Sequence, residues 1–317
     1  MKFAFLNKRK NIPDAVEEKT EPTLKFFFKL LFRKFSKLVT LNLMMLFTVI
    51  PFIAVFFIYF FSSQSYSQIA PEFASLLGVH TVANSASASL ELELNLAQMG
   101  SPLLNSFQLG AIIFCAVFLI ATWGWQNVGA TYVVREMLSG KPSFVWSDYF
   151  YAVKRNFKQS FFFGIFDSVI IAVLALDFVQ LYFSNSDFME SLMFFIICAI
   201  IVLYAVMRMY LYLMMITFDL SFKKLLKNAL IFSVLGFKRN FMAALGVIVL
   251  LAIHILLIVL LLPYGIAIPI ILPLLYALAL ITFISAYAAF PVIKKYMIDP
   301  YEDENADADE VQAEAEA

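Results

Sequence analysis

The chain has 317 residues, 62% of them hydrophobic, and a mean hydropathy of +0.84. A soluble domain needs polar surface to cover its core, so these values exclude one. The formal net charge of zero hides a sharp asymmetry, because all but one of the 23 Lys and Arg fall in four segments.

Residues 1–22 read as a polar, basic segment, and a membrane domain is expected over 23–298. Its first stretch, TLKFFFKLLFRKFSKL (residues 23–38), steps Lys25, Lys29, Arg33 and Lys37 along one helical face, with Phe and Leu on the others. A basic face opposite a bulky apolar one marks a helix lying in the membrane interface. An apolar run long enough to cross a bilayer, about 20 residues, follows at 38–61. The next 45 residues, 62–106, carry Glu72, Glu91 and Glu93 but no cation. They read as an ordered loop over the helix ends or a small external cap. A second run spans 107–134.

Ser143–Asn156 then puts Phe144, Trp146, Phe150 and Val153 near one helical face. Runs three and four, 161–183 and 189–216, are joined so briefly that they must be antiparallel neighbours. Asp219–Asn240 repeats the amphipathic pattern with Phe222, Leu225, Leu226, Ala229 and Leu230. Runs five and six, 241–262 and 269–293, flank an outer turn built on Pro263, Gly265, Pro269 and Pro273. Residues 299–317 hold nine acids and no base, the composition of a disordered, solvated tail or of one that contacts the basic feet.

Ten cations lie in 1–37, five in 135–160, five in 217–240, and Lys294 and Lys295 follow the last run. The connections 62–106, 184–188 and 263–268 carry none. The positive-inside rule then places both termini in the cytoplasm. Isolated strands cannot satisfy their backbone in lipid, so all six runs are expected to be helices. The fold class is all-α: a polytopic membrane protein of six transmembrane helices in three hairpins. Each hairpin is preceded by a cytoplasmic interfacial amphipathic helix. The letters KRNF occur at 154–157 and again at 238–241, where cations meet the headgroups and Phe begins the hydrocarbon. They raise a duplication of the second hairpin as the third.

Ionisable groups inside a bilayer are costly and are the first candidates for function. Asp167 and Arg208 fall at similar depths in adjacent runs. Two readings stand: an ion pair, or Arg208 snorkelling to the headgroups while Asp167 is hydrated. Asp177 reads as reaching the outer interface or lining an outward cavity. His254 reads as hydrogen-bonded packing or a proton relay. Gln126 and Asn127 bond across helices or bind a polar solute. The basic feet, with Trp146, Asp148, Lys154, Arg155, Asn156, Lys158, Lys223, Lys224 and Lys227, read as anchors on anionic headgroups or as a surface that docks a protein partner. Nucleic acid is not an expected partner, because these cations sit against the membrane plane. Cys115 and Cys198 lie in separate runs and read as packing residues.

No Gly-rich loop ending in Lys-Ser or Lys-Thr is present, nor HExxH, nor a nucleophile with an identifiable base. No enzyme activity, cofactor or metal is expected.

The stretch GATYVVREMLSGKPSFVWSDYFYAVKRNFKQS, residues 129–160, resembles the YesL-like bacterial membrane proteins, a family of unknown function. Tyr132, Val133, Arg135, Trp146, Asp148, Phe150, Asn156, Phe157 and Lys158 fit its pattern. LVTLNLMMLFTVIP, residues 38–51, resembles its first span. The resemblance implies a bacterial plasma-membrane protein, often encoded beside carbohydrate ABC uptake systems. The expectation is therefore a non-enzymatic accessory or regulatory protein with an ABC permease or other membrane protein as partner. The alternative is a small-solute transporter whose polar groups converge on one path.

Overall fold

The structure is a computed structural model and describes residues 23–61, 106–183, 188–265 and 268–300. The expectations for 1–22, most of the loop 62–106 and nearly all of the acidic tail lie outside these residues. The helices are α1 (Leu24–Phe61), α2 (Ser106–Leu138), α3 (Val145–Arg155), α4 (Phe157–Phe183), α5 (Phe188–Thr217), α6 (Phe222–Leu235), α7 (Phe237–Leu261), α8 (Ile268–Ile271) and α9 (Pro273–Ile293). A 3₁₀ turn, Leu262–Tyr264, follows α7, and a π-helical turn, Lys294–Ile298, follows α9. Among the described residues there is no strand. Six helical stretches among the described residues are long and apolar enough to cross a membrane: Leu24–Pro51, Ser106–Leu138, Phe157–Phe183, Phe188–Thr217, Phe237–Tyr264 and Pro273–Ile298.

The chain divides into two compact units, residues 1–48 with 120–317, and residues 49–119. The second contains the far part of α1 and the first part of α2 among its described residues. The buried core belongs to the first.

That core sits toward the end of the helices that carries the basic segments. Tyr210 to Thr217, the last two turns of α5, are buried on every side, packed among α4, α6 and α9. A helix apolar all round needs such a surrounding. The opposite end of α5 differs, with Leu192, Met193, Phe195 and Ile196 exposed. Large open apolar surface of this kind suits a lipid environment.

Two boundaries differ from the sequence expectation. The N-terminal amphipathic stretch is no separate helix but the start of α1, which runs unbroken from Leu24. The reason is local: residues 24–50 contain neither Gly nor Pro, so nothing stops the helix. One of its expected surface cations is turned inward, since Lys37 Nζ donates to the Ser143 carbonyl at 2.7 Å.

The two KRNF copies are also not equivalent. At the first, the helix breaks at Asn156, whose backbone N–H and side-chain Nδ2 both donate to the Ala152 carbonyl at 3.1 and 3.0 Å. At the second, the break falls at Gly236, ahead of the motif, and KRNF lies in the first turns of α7. Tyr210 reaches this break and donates its hydroxyl to Asn240 Oδ1 at 2.6 Å. A Cβ on Gly236 would meet that hydroxyl at 2.2 Å and the Phe232 carbonyl oxygen at 3.0 Å, so a larger residue would have to displace the buried Tyr210. Asn240 Nδ2 donates to the Ser233 carbonyl at 2.9 Å, closing α6. Structurally, Asn240 matches Ser160, each four residues past a break and buried. The shared letters therefore do not mark a structural repeat.

Asn42 on α1 is fully buried and performs a task of the same kind. Its Nδ2 donates to the Leu274 carbonyl at 2.6 Å, and its Oδ1 accepts from the Ala279 N–H at 2.9 Å. One amide thus bonds both a carbonyl and an N–H of α9, tying α1 to α9 in a dry interior.

Candidate functional site

Asp167 on α4 has no exposed surface. A buried carboxylate is tolerated only when paired and hydrogen-bonded, and this one is heavily supplied. Tyr204 donates its hydroxyl to Oδ1 at 2.6 Å. Tyr212 donates its hydroxyl to Oδ2 at 2.6 Å, and Trp123 donates Nε1–H to Oδ2 at 2.9 Å. Arg208 Nε lies 2.9 Å from Oδ1 and 3.0 Å from Oδ2.

Sequence spacing explains how α5 presents its three partners. Tyr204, Arg208 and Tyr212 are four apart, so they form one row along the helix. The fourth donor, Trp123, arrives through a close helix crossing. A Cβ built on Gly124 would meet the Ser160 carbonyl oxygen at 1.8 Å, and one on Gly164 would meet Gly124 N at 2.4 Å. The backbones of α2 and α4 are therefore in direct contact, as small residues permit in membranes. Ser160, Gly164 and Ser168 recur every fourth residue on α4. Both serines fold their hydroxyls back onto their own helix, Ser160 to Asn156 O at 2.7 Å and Ser168 to Gly164 O at 2.8 Å.

The Arg208 guanidinium carbon lies 5.5 Å from the Trp123 ring centroid and 5.6 Å from that of Tyr212. Both distances suit cation–π attraction. Its Nη2 donates to Asn127 Oδ1 at 3.4 Å, and Asn127 Nδ2 donates to the Trp123 carbonyl at 2.8 Å. The result is a network in which Asp167 faces four side-chain donors from two other helices. Chemically it is a lock among α2, α4 and α5.

Of the other candidates, Gln126 is buried but accepts from the Thr48 hydroxyl, tying α2 to α1. Asp177 is half-buried on α4, ten residues beyond Asp167, about 15 Å along the helix. His254 Nδ1 lies 3.2 Å from the Tyr276 hydroxyl, linking α7 to α9, and its Nε2 is buried without a partner. The structure thus gathers Asp167, Arg208 and Asn127 and leaves Gln126, Asp177 and His254 apart.

A second polar cluster was not anticipated. Arg135 and Glu136 at the end of α2 are buried and paired, Nη2 to Oε1 at 2.6 Å. Arg135 Nη1 also donates to the Ile216 carbonyl at 3.2 Å, and Arg155 Nη2 donates to the same oxygen. Two cations therefore meet the C-terminus of α5, where the helix dipole and its orphan carbonyls favour them. Counting Arg135 and Arg155 as positive-inside residues concealed this role.

The proposed docking foot needs correction on three residues. Asp148 is buried, and its Oδ2 accepts from the Phe144 N–H at 2.7 Å, satisfying a donor at the start of α3. Arg155 is half-buried against Ile216, and Asn156 closes α3. Tyr149, on the buried face of α3, lies against Gly129, where a Cβ would meet its ring at 2.6 Å. Burial pushes its hydroxyl well above the usual range. Trp146, Phe150, Tyr151 and Lys154 are exposed on α3, as are Phe144 just before it and Lys158 at the start of α4. Trp146 is 63% exposed and stacks only loosely on Phe150, with centroids 6.2 Å apart. Lys223, Lys224 and Lys227 are exposed on α6.

Residues 103–178 match the family described as a protein of unknown function, DUF624. The matched stretch holds Trp123, Gly124, Asn127, Arg135, Gly164 and Asp167 but stops before Tyr204, Arg208 and Tyr212. No curated protein and no solved structure matches the chain.

Proposed function

We propose that this chain is a non-enzymatic accessory or regulatory protein of a bacterial plasma membrane. Three hairpins cross the bilayer with both termini cytoplasmic, and α3 and α6 lie in the cytoplasmic interface on anionic headgroups. The likeness to YesL-like proteins supports an association with carbohydrate ABC uptake. One observation carries the reading: the buried charge of Asp167 is saturated by internal donors, while the aromatic and basic face of α3 is open. A charge so enclosed serves packing, and the open face is left to make contacts.

Tryptophan at the centre of an interface often carries a large share of binding energy. Trp146→Ala is expected to insert and melt like the parent, because little in the chain rests on its ring. Recovery of an ABC permease by affinity purification from native membranes is expected to fall about 30-fold, the equivalent of roughly 2 kcal/mol. The same loss is expected for Lys154→Gln with Lys158→Gln. Equal permease recovery from parent and variants, or none from the parent, would sink this reading.

A solute path is the second reading, and one observation favours it. The Arg208 side chain is 26% exposed beside Asn127, so one flank of the network is open.

A further inference from the structure

Between residues 217 and 300 the chain carries seven cations and only two acids, Asp219 and Asp299. Residues 301–317 reverse this, with eight acids and no cation. The π-helical turn after α9 lies against α6: Met297 is buried in one cluster with Leu225, Ala229 and Phe232, and the Tyr296 ring stacks on Phe232 at 6.3 Å. Lys223, Lys224 and Lys227 occupy the exposed face of α6, and Lys294 and Lys295 are exposed on the turn itself. The described residues therefore end at Pro300, just past a turn that carries Lys294 and Lys295 and packs on the helix that carries Lys223, Lys224 and Lys227, and the next charges in the sequence are Glu302, Asp303 and Glu304.

We propose that the acidic segment 301–317 docks reversibly on the exposed lysine face of α6 within the same chain, competing there with anionic headgroups. Reach is ample. Seventeen residues extend at most about 55–60 Å, whereas α6 is about 21 Å long. Tethering also gives the segment an effective concentration in roughly the millimolar range, which an untethered competitor must match. Individual exposed ion pairs are weak and screened by salt. The docking is thus multivalent, rests on several lysines together and is reversible. It is independent of the proposed partner and of which side of the membrane α6 occupies, because the turn and α6 are packed together.

The test uses the full chain with Cys115→Ala and Cys198→Ala, spin labels on Ser221→Cys and Ala308→Cys, and nanodiscs of phosphatidylcholine. Neither labelled position is charged. Pulsed dipolar spectroscopy is expected to show a population within about 25 Å, near the length of α6, at about 10 mM NaCl. At about 1 M, where the screening length falls to about 3 Å, the distribution should broaden to that of a free eight-residue tether, about 16 Å root-mean-square from Pro300. Lys223→Gln/Lys224→Gln/Lys227→Gln should show this broad distribution at both salts. A distribution unchanged by salt, or one that still narrows at low salt in the triple variant, would overturn the proposal. So would coupling in a mixture of singly labelled chains, which would assign the lysine face to a second copy.

Discussion

Replacing Asp167 with Ala is expected to destabilise the detergent-solubilised protein by about 3–5 kcal/mol, the usual cost of removing one member of a buried pair. Arg208 loses its counter-charge, and Tyr204, Tyr212 and Trp123 lose their acceptor. Each stranded donor carries its own desolvation cost. Arg208→Ala should be damaging for the mirror reason, leaving Asp167 buried with only neutral donors. The double variant should recover part of the loss, so the single effects exceed it in sum by more than the ~0.5 kcal/mol within which independent sites add. Full recovery is not expected, because the two tyrosines and the tryptophan still face an empty acceptor position. Thermal melts of the four proteins in one detergent measure this. Strict additivity would show that Asp167 and Arg208 do not act together.

Gly124→Ala is expected to be comparably harmful although it adds one methyl group. The new Cβ would lie 1.8 Å from the Ser160 carbonyl oxygen, and that obstacle is backbone, which cannot rotate away. The helices must separate, and overpacking a tight contact costs about 1–3 kcal/mol or more. Separation would also withdraw Trp123 from Asp167, so the loss should partly overlap that of Trp123→Phe. Gly164→Ala is expected to behave alike. Gly246→Ala is the control, since its Cβ would meet Ile284 Cγ2 at an ordinary 3.6 Å. Size-exclusion recovery and melting point should fall for Gly124→Ala and Gly164→Ala and change little for Gly246→Ala. Equal behaviour of all three would contradict the crossing.

The apolar runs were legible because a bilayer imposes length and composition directly on sequence. The pairing of Asp167 with Arg208 is one of two readings the sequence allows, since the brief connection between their helices puts both at similar depth. Their aromatic partners were not legible. In a chain that is 17% aromatic, Trp123, Tyr204 and Tyr212 carry no compositional signal, and only the four-residue spacing around Arg208 points to a shared face. Ser160, Gly164 and Ser168 form a similar spacing signal, small residues every fourth position on one face. Asp148 misled for another reason: an acid in an amphipathic stretch looks like surface until its backbone partner at Phe144 is known. The KRNF repeat misled because letters near a membrane boundary follow charge and aromatic preference, while the helix break follows Gly236 and Asn156. Asn42 was visible inside the first span, but its partner lies 232 residues away.

The central claim is that the polar network around Asp167 is a packed lock and not a solute path. It is tested most directly at Asn127, the residue on its open flank. In the chain with Cys115→Ala and Cys198→Ala, Asn127→Cys is exposed to a small charged thiol reagent from each side of the membrane in turn. A lock leaves this cysteine unmodified from both sides over a period in which Ser221→Cys, exposed before α6, reacts fully from one. Rapid modification of Asn127→Cys, slowed by a sugar or other small solute, would contradict the lock and establish a path.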